Sequence, residues 1–365
     1  MFSSRGSWKR VLVAAGAAVA VAAPLSLSAG TAHAVTGMTR TTTLKVLASG
    51  LNNPRGITVL PDGTILVAES GAGDPNCAAG QTCAGLTGSV YAVHGGFQGR
   101  VVTGLASTAT GPATPGASVS AAGPNAVVPD PKGGYDVLSE FGGTDDSRAA
   151  LGPNGATLGT LLRTCDHTVL ADPVDYETKV NPDGEDVHSN PWGLLPSGPD
   201  FLITEAGAND LLRAHPDGSI TTDYVFPHNT AATGSQQAVP TGIVRAADGT
   251  IYISDMSATT PGAARIWQIK PGQAPQVFLT GFSNLVSLAL DHSGNLFALS
   301  FTAQLGAPPL PGSLSKINLA TKQVTQIPTG ILLQQPTGLG IGPDNEVYVT
   351  NNSNGTSGQL VRVLY

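Results

Sequence analysis

Charge is scarce in this 365-residue chain: Asp, Glu, Lys and Arg make up only 12% of it, and aromatic residues only 5%. The charge present leans negative, with 18 basic against 25 acidic residues. A surface of that sign disfavours nucleic acid and anionic membranes. Long stretches with a 3.6-residue apolar period are missing, which excludes an ordinary helical protein. Beyond the first 34 residues no run is apolar and long enough to span a bilayer. Catalytic signatures are missing too: there is no G-x-S-x-G and no H-E-x-x-H. "GLGIG" at 338–342 sits in a strand before a hairpin, where a dinucleotide loop would precede a helix. His94, His215, His228 and His292 share no pattern. His188, in "EDVHSNPWG", reads first as a solvated loop residue and second as a base or ligand.

Cysteine is also sparse, with three in the chain. Cys77 and Cys83, in "CAAGQTC", are close enough to close a small disulfide loop under oxidising conditions. No His or further Cys stands beside them in sequence for a zinc site. Cys165 is left over and is expected to be buried as a small apolar residue.

The first 34 residues have the layout of a cleaved secretory signal: a basic start "MFSSRGSWKR", an apolar core, and "AHA" at 32–34. Pro24 and the polar run after it leave the apolar core short for a membrane anchor. Export without the signal removes Arg5, Lys9 and Arg10, leaving 15 basic residues against 25 acidic ones and a formal charge of −10. The expected organisation is a signal peptide at 1–34, an N-terminal extension at 35–43 and one domain at 44–365. The expected location is extracellular, with no integral membrane segment after cleavage.

What the chain has in plenty is glycine (46) and proline (27), arranged in a repeat. Six units open on related lead-ins, five of them containing Pro or Gly: "NNPRGITV", "AGPNAVV", "SNPWGLL", "AVPTGIV", "SNLVSLAL" and "QQPTGLGI". Each continues through a tight turn, such as "PDG" at 61 or "ADG" at 247, into a second apolar strand. A third and fourth strand follow, except that the sixth unit stops at Tyr365 without its fourth. "LKVLASGL" at 44–51 is the strand left over at the other end. Six four-stranded units, the last completed by the N-terminal strand, predict an all-β six-bladed β-propeller. Closing the ring removes free sheet edges. The low-complexity run 105–124 and "GAPPLPG" at 306–312 are expected to be surface loops.

The blades carry a family likeness. "GLNNPRGI…PDGTILVAESG" followed by "C…C…TGSV" resembles the opening blade of the ScyD/ScyE family of secreted bacterial NHL-like propellers. So do "SNPWGLL…FLITEAGANDLLR", "AVPTGIV…DGTIYISDM" and "PTGLGIGPDNEVYV", and the resemblance runs over 44–365 in blade order. It implies the propeller fold; no catalytic role carries over with it. Two departures stand out: Trp192 where the family usually has tyrosine, and Ser300 where an acid is expected.

The candidate site follows from the hairpin geometry. The lead-in and the end of the second strand lie on one face of the propeller, at the mouth of the central channel. The strand ends are Glu69, Glu140, Glu205, Asp255, Ser300 and Asn351. Beside them stand Asn53, Asn125, Trp192, Thr241 and Thr337. An acid ending a buried strand reads first as an acceptor for the N–H groups of the next loop. The second reading is a ligand or metal contact, since converging carboxylates and amides hold a hard cation such as Ca²⁺. The sequence therefore favours a binding module for a small molecule, glycan or protein. The alternative is a metal-dependent lactonase-like hydrolase of the gluconolactonase-type propeller class, although the "EGP-x-W" opening of that class is missing. Mass spectrometry of the exported protein is expected to find its N-terminus at Val35; an uncleaved chain would overturn the signal reading.

Overall fold

The computed structural model describes residues 41–365 apart from 115–116, 231–236, 258–259 and 304–309. The signal segment and most of the N-terminal extension lie outside the described residues, as does most of "GAPPLPG".

Apolar runs of five or six residues between glycine turns give short strands, and these assemble into six antiparallel sheets. Blade 3 shows the plan, running in order through Pro191–Ser197, Asp200–Glu205, Asp210–Ala214 and Ile220–Val225. The first-strand register sets the turns. The Asp62 carboxylate accepts the Thr64 N–H at 2.9 Å while Gly63 sits at φ 82°, and Asp248, Gly249 and Thr250 repeat the device. Thr43–Leu51 pairs antiparallel with Gly358–Leu364 as the outermost strand of the sheet that also holds Val347–Asn351 and Leu339–Ile341.

The first strands of the blades, Pro54–Val59, Pro124–Pro129, Pro191–Ser197, Pro240–Arg245, Leu285–Leu290 and Leu339–Ile341, contact one another in a ring. Apolar cores fill the seams between neighbouring blades. One joins Leu66, Val90 and Leu105 of blade 1 to Val127 and Val137 of blade 2. Another joins Ile65 and Val67 of blade 1 to Leu360 of the last sheet. Because both faces of a central strand meet a neighbouring blade, these strands read as continuous apolar runs such as "ILVA" and "FLIT".

Glycine in the lead-ins permits the close approach of adjacent first strands. A Cβ on Gly56 would lie 2.6 Å from the Asn125 carbonyl, and one on Gly242 would lie 2.7 Å from Leu288 N and Ser287 Cα. Nothing but hydrogen fits there.

Blade 1 departs from the plan. Its third and fourth strands, Thr82–His94 and Phe97–Thr110, form a long hairpin whose far end takes a further short strand, Ala121–Ala122. All of "LASTAT" at 105–110 is therefore strand, and Leu105, Ala106, Ser107, Thr108 and Ala109 are buried, which corrects the expected surface loop for that part of the run 105–124. The burial comes from an extra apolar cluster: Ala84 and Ala106 pack with Phe141, Leu158 and Val174 of an insertion in blade 2. That insertion holds two short helices, Asp145–Ala149 and Pro173–Val180; Asp172 caps the second and proline stands in its first turn.

Cys77 and Cys83 form the expected disulfide. Cys165 is free and exposed, a correction to its expected burial; it lies in the turn between two short strands of blade 2, where no apolar neighbour covers it. Among the described residues no helix is long and apolar enough to cross a membrane. Gly242→Ala is expected to lower stability by about 1–3 kcal/mol through overpacking of the blade 4–5 seam. The denaturant midpoint reads this; an unchanged midpoint would show that the first strands are not tightly packed.

Candidate functional site

Strand register decides which side chains reach the mouth. In blade 1 Pro54 pairs with Glu69, in blade 3 Pro191 with Glu205, and in blade 4 Pro240 with Asp255. In blade 2 Pro124 pairs with Ser139, so Ser139 is the counterpart of these acids and Glu140 lies one residue further on. Side chains alternate along a strand, and a one-residue step reverses the direction in which they point. Glu140 therefore does not belong to the same ring as Glu69, Glu205 and Asp255, which corrects the sequence alignment.

The true strand-end acids are consumed inside their own blades. Glu69 is fully buried and accepts the Asn52 N–H at 2.7 Å, the Ser89 hydroxyl at 2.6 Å, and Nε and Nη2 of Arg100 at 2.8 and 2.7 Å. Glu205 takes the Asn190, Gly207 and Ala208 N–H groups at 2.5, 2.9 and 2.8 Å, together with the Ser189 hydroxyl. Burial pushes its carboxyl up to about 7 against the pull of those four donors. Asp255 receives the Arg265 N–H at 3.0 Å, Arg265 Nε at 2.7 Å, Trp267 Nε1 at 2.7 Å and the Ser257 hydroxyl. Burial raises its carboxyl also, and Arg265 opposes the rise. Asn351 does the same work without charge: its Oδ1 accepts the Gln334 N–H at 2.7 Å. None of these four lines the channel or its mouth.

Asn53 is likewise committed. It is buried, donates to the Gly71 and Val119 carbonyls at 2.9 Å each, and accepts the Gly355 N–H at 2.7 Å. The residue in blade 1 that matches Asn125, Trp192, Thr241 and Thr337, one place after the lead-in proline, is Arg55. Alternation along the first and second strands was the signal that could have picked out Arg55, Met256 and Phe301.

Two cavities run along the axis. The channel, about 330 Å³, is lined by all six first strands, and no Asp, Glu, His, Cys, Lys or Arg is among its lining residues. The mouth above it, about 420 Å³, gathers Arg55, Glu140, Trp192, Met256, Val286 and Phe301. Trp192, Val286 and Thr337 belong to both, so they partition the channel from the mouth. The Trp192 indole is held across the axis by its N–H, which donates to the Val286 carbonyl at 3.1 Å, and the Asn125 amide donates to the Trp192 carbonyl at 2.6 Å. One wall is the end of the blade 1 hairpin, through Thr82, Thr108 and Thr110. The Cys77–Cys83 disulfide ties the preceding loop to that wall.

Arg55 and Glu140 are the charged pair of the mouth. Arg55 Nε meets Glu140 Oε1 at 3.0 Å, with both side chains only 6–7% exposed. Arg55 Nη1 and Nη2 donate to the Ser353 and Ala121 carbonyls at 2.8 and 2.7 Å, so the guanidinium is satisfied by protein. The Ser70 hydroxyl donates to the same Glu140 oxygen at 3.3 Å. Glu140 Oε2 has no hydrogen-bond partner among the described residues. Of the eight residues expected at the mouth, Glu140, Asn125 and Trp192 line the axial cavities. Among the described residues, no three His, Cys, Asp or Glu side chains are grouped so as to hold one metal ion. His188 is exposed and lines neither cavity.

No protein-family model and no curated protein matches the sequence. Solved structures do. A protein of unknown function from Bacteroides thetaiotaomicron aligns with 89% of this chain and 76% of its own, with a TM-score of 0.51 and 10% identity. A glucose dehydrogenase aligns with 88% of this chain and 99% of its own, at TM-score 0.50 and 14% identity. Virginiamycin B lyase from Staphylococcus aureus aligns with 89% of this chain and all of its own, at TM-score 0.48 and 13% identity. At such identities the likeness extends to the fold alone.

Asp255→Ala would leave the Arg265 guanidinium buried without its acid, an expected loss of about 3–5 kcal/mol. Thermal or denaturant unfolding reads this. A variant as stable as the parent would mean that the strand-end acids do not hold the blades.

Proposed function

We propose that the chain is an exported ScyD/ScyE-like propeller that binds an uncharged molecule at the channel mouth, one with an apolar ring face and hydroxyl donors. A small aromatic glycoside or a single glycan unit fits that description. The observation that carries this reading is the make-up of the mouth. Trp192, Met256, Phe301 and Val286 offer apolar surface directly beside the Arg55–Glu140 pair. Concave sites of mixed aromatic and precisely placed polar groups are the usual form of a small-molecule pocket. The pair is neutral as a whole and the guanidinium donors are occupied, which disfavours an anionic ligand. The second oxygen of Glu140 remains as an acceptor for a ligand hydroxyl.

Export rests on the signal layout at 1–34, and the disulfide is consistent with an oxidising compartment. No observation favours the metal-dependent lactonase reading over binding, because the mouth offers a single carboxylate and that one is paired to arginine.

Tryptophan emission tests the proposal, since Trp192 lies at the mouth and Trp267 in the blade 4 core. Titration with neutral monosaccharides and their phenyl glycosides is expected to change the emission saturably. Trp192→Ala is expected to weaken binding at least tenfold, measured by calorimetry, and Glu140→Gln several-fold. Binding that survives Trp192→Ala unchanged, or no binding across the panel, would overturn the mouth as a site of this class.

A further inference from the structure

Buried charge elsewhere in the described residues is paired, as Glu69 is with Arg100 and Asp255 with Arg265. Beneath the loop 181–190 of blade 3 it is not. Glu177, on the helix Pro173–Val180, is 1% exposed, and Asp210, which opens the strand Asp210–Ala214, is 0% exposed. Both oxygens of each carboxylate are buried outside hydrogen-bonding geometry, with the His188 N–H as the one donor near Glu177. The side-chain oxygen of Asn181, the left-handed residue that ends the same helix, is a fifth buried acceptor without a donor.

The surroundings add negative charge and no counter-charge. Asp183 and Glu205 stand near enough to raise the Asp210 carboxyl further. Burial, reinforced by Asp183, lifts Glu177 to about 7. Among the described residues no Lys or Arg forms an ion pair with Glu177, Asp183, Glu205 or Asp210. The neighbours that could have donated are turned to other partners. The Asn181 amide N–H bonds the Glu185 carbonyl at 2.8 Å, and the Asn209 amide bonds Asp183 at 3.0 Å. Two buried carboxyls with no cation, and with the His188 N–H as the one donor near either, are left short of partners, which protein interiors rarely sustain.

We propose that Glu177, Asp210 and the amide oxygen of Asn181 bind a hard divalent cation, Ca²⁺ in preference to Mg²⁺, beneath the 181–190 loop. All five orphaned atoms are oxygens, with no nitrogen or sulfur among them, which is the ligand chemistry of Ca²⁺. Two carboxylates balance the double charge. Ca²⁺ also accepts backbone carbonyls and water in its irregular shell, whereas Mg²⁺ demands a near-ideal octahedron. Such a site need not gather three carboxylates. It is separate from the mouth, whose lining includes neither Glu177 nor Asp210. Its role is to fasten the helix Pro173–Val180 and its loop to blade 3.

The test uses the full exported chain, stripped of metal by chelating resin, at constant ionic strength. CaCl₂ is expected to raise the melting temperature saturably by several degrees, with about one equivalent bound by calorimetry, and MgCl₂ to act only at higher concentration. Asp210→Asn and Glu177→Gln are each expected to abolish the Ca²⁺-dependent rise. Their metal-free forms should melt no lower than the metal-free parent, because each removes a buried carboxyl whose charged form burial already disfavours. That last comparison separates a ligand from a merely structural acid, whose loss lowers the melting temperature with or without calcium. No saturable response to Ca²⁺ in the parent would overturn the site, as would a response that persists in both variants.

Discussion

Everything in this molecule depends on the seam where the first strands of neighbouring blades meet. Side chains one place past the lead-in proline donate across that seam to backbone carbonyls of the next blade. Thr241 bonds the Leu285 carbonyl at 2.9 Å, Asn125 the Trp192 carbonyl at 2.6 Å, and Thr337 the Pro54 carbonyl at 2.8 Å. Thr350 adds a bond to the Arg55 carbonyl at 2.9 Å. The last two join residues 283 and 295 positions apart, so the ends of the chain meet in one buried hydrogen-bonded layer. Loop closure over such distances is costly only once. Thereafter each blade is confined between two neighbours, with an apolar core on both sides.

That seam explains how much of the fold was legible in the sequence. The P-x-G lead-in records a threonine or asparagine that bonds across and a glycine that allows close approach, so its return marks the blades. The D-G turns record an Asx hydrogen bond at a positive-φ glycine. Six blades, their strands and the disulfide could be read from such local signals. The register of blade 2 could not. "YDVLSEFGG" aligns by eye with "TILVAESGA" on its glutamate, yet the pairing puts Ser139 where Glu69 stands. A one-residue slip costs nothing in a string comparison and reverses a side chain in the sheet. The run at 105–124 misled for a different reason: Ala, Ser and Thr carry no strong strand signal, and the cluster that buries them comes from the blade 2 insertion, with Phe141, Leu158 and Val174. Cys165 was misjudged because its exposure is a property of a turn, not of its chemistry.

The strand-end acids answer the sequence's main ambiguity. Each works as a hub that collects N–H and hydroxyl groups from the lead-in, the following loop or the later strands of its blade, and asparagine can take the place where fewer donors need an acceptor. Charge at these positions is tolerated where arginine reaches in from a later strand, as Arg100 does for Glu69 and Arg265 for Asp255. Blade 3 has no such arginine. Four backbone and hydroxyl donors serve Glu205 there, while the adjoining Asp210 is left with none and Glu177 has only the His188 N–H nearby. The same blade therefore carries both a carboxylate with four donors, Glu205, and one with none in hydrogen-bonding geometry, Asp210.

Asymmetry at the mouth bears on why a site should be there at all. At the seams of blades 2, 4 and 6, a neutral threonine or asparagine in the first strand suffices to bond the next blade. The seam between blades 1 and 2 uses instead a buried arginine and a buried glutamate. Replacing a buried ion pair by neutral side chains is often without cost to stability, because the desolvation of two charges offsets much of their attraction. Thr58 already bonds the Val127 carbonyl across the same seam at 2.6 Å, so the pair is not needed to hold the blades together. What the pair adds is a fixed charged acceptor beside the Trp192, Met256 and Phe301 side chains of the mouth, with its counter-charge locked in place by two carbonyls. Seam stability does not account for that expense; the ligand recognition proposed for the mouth would.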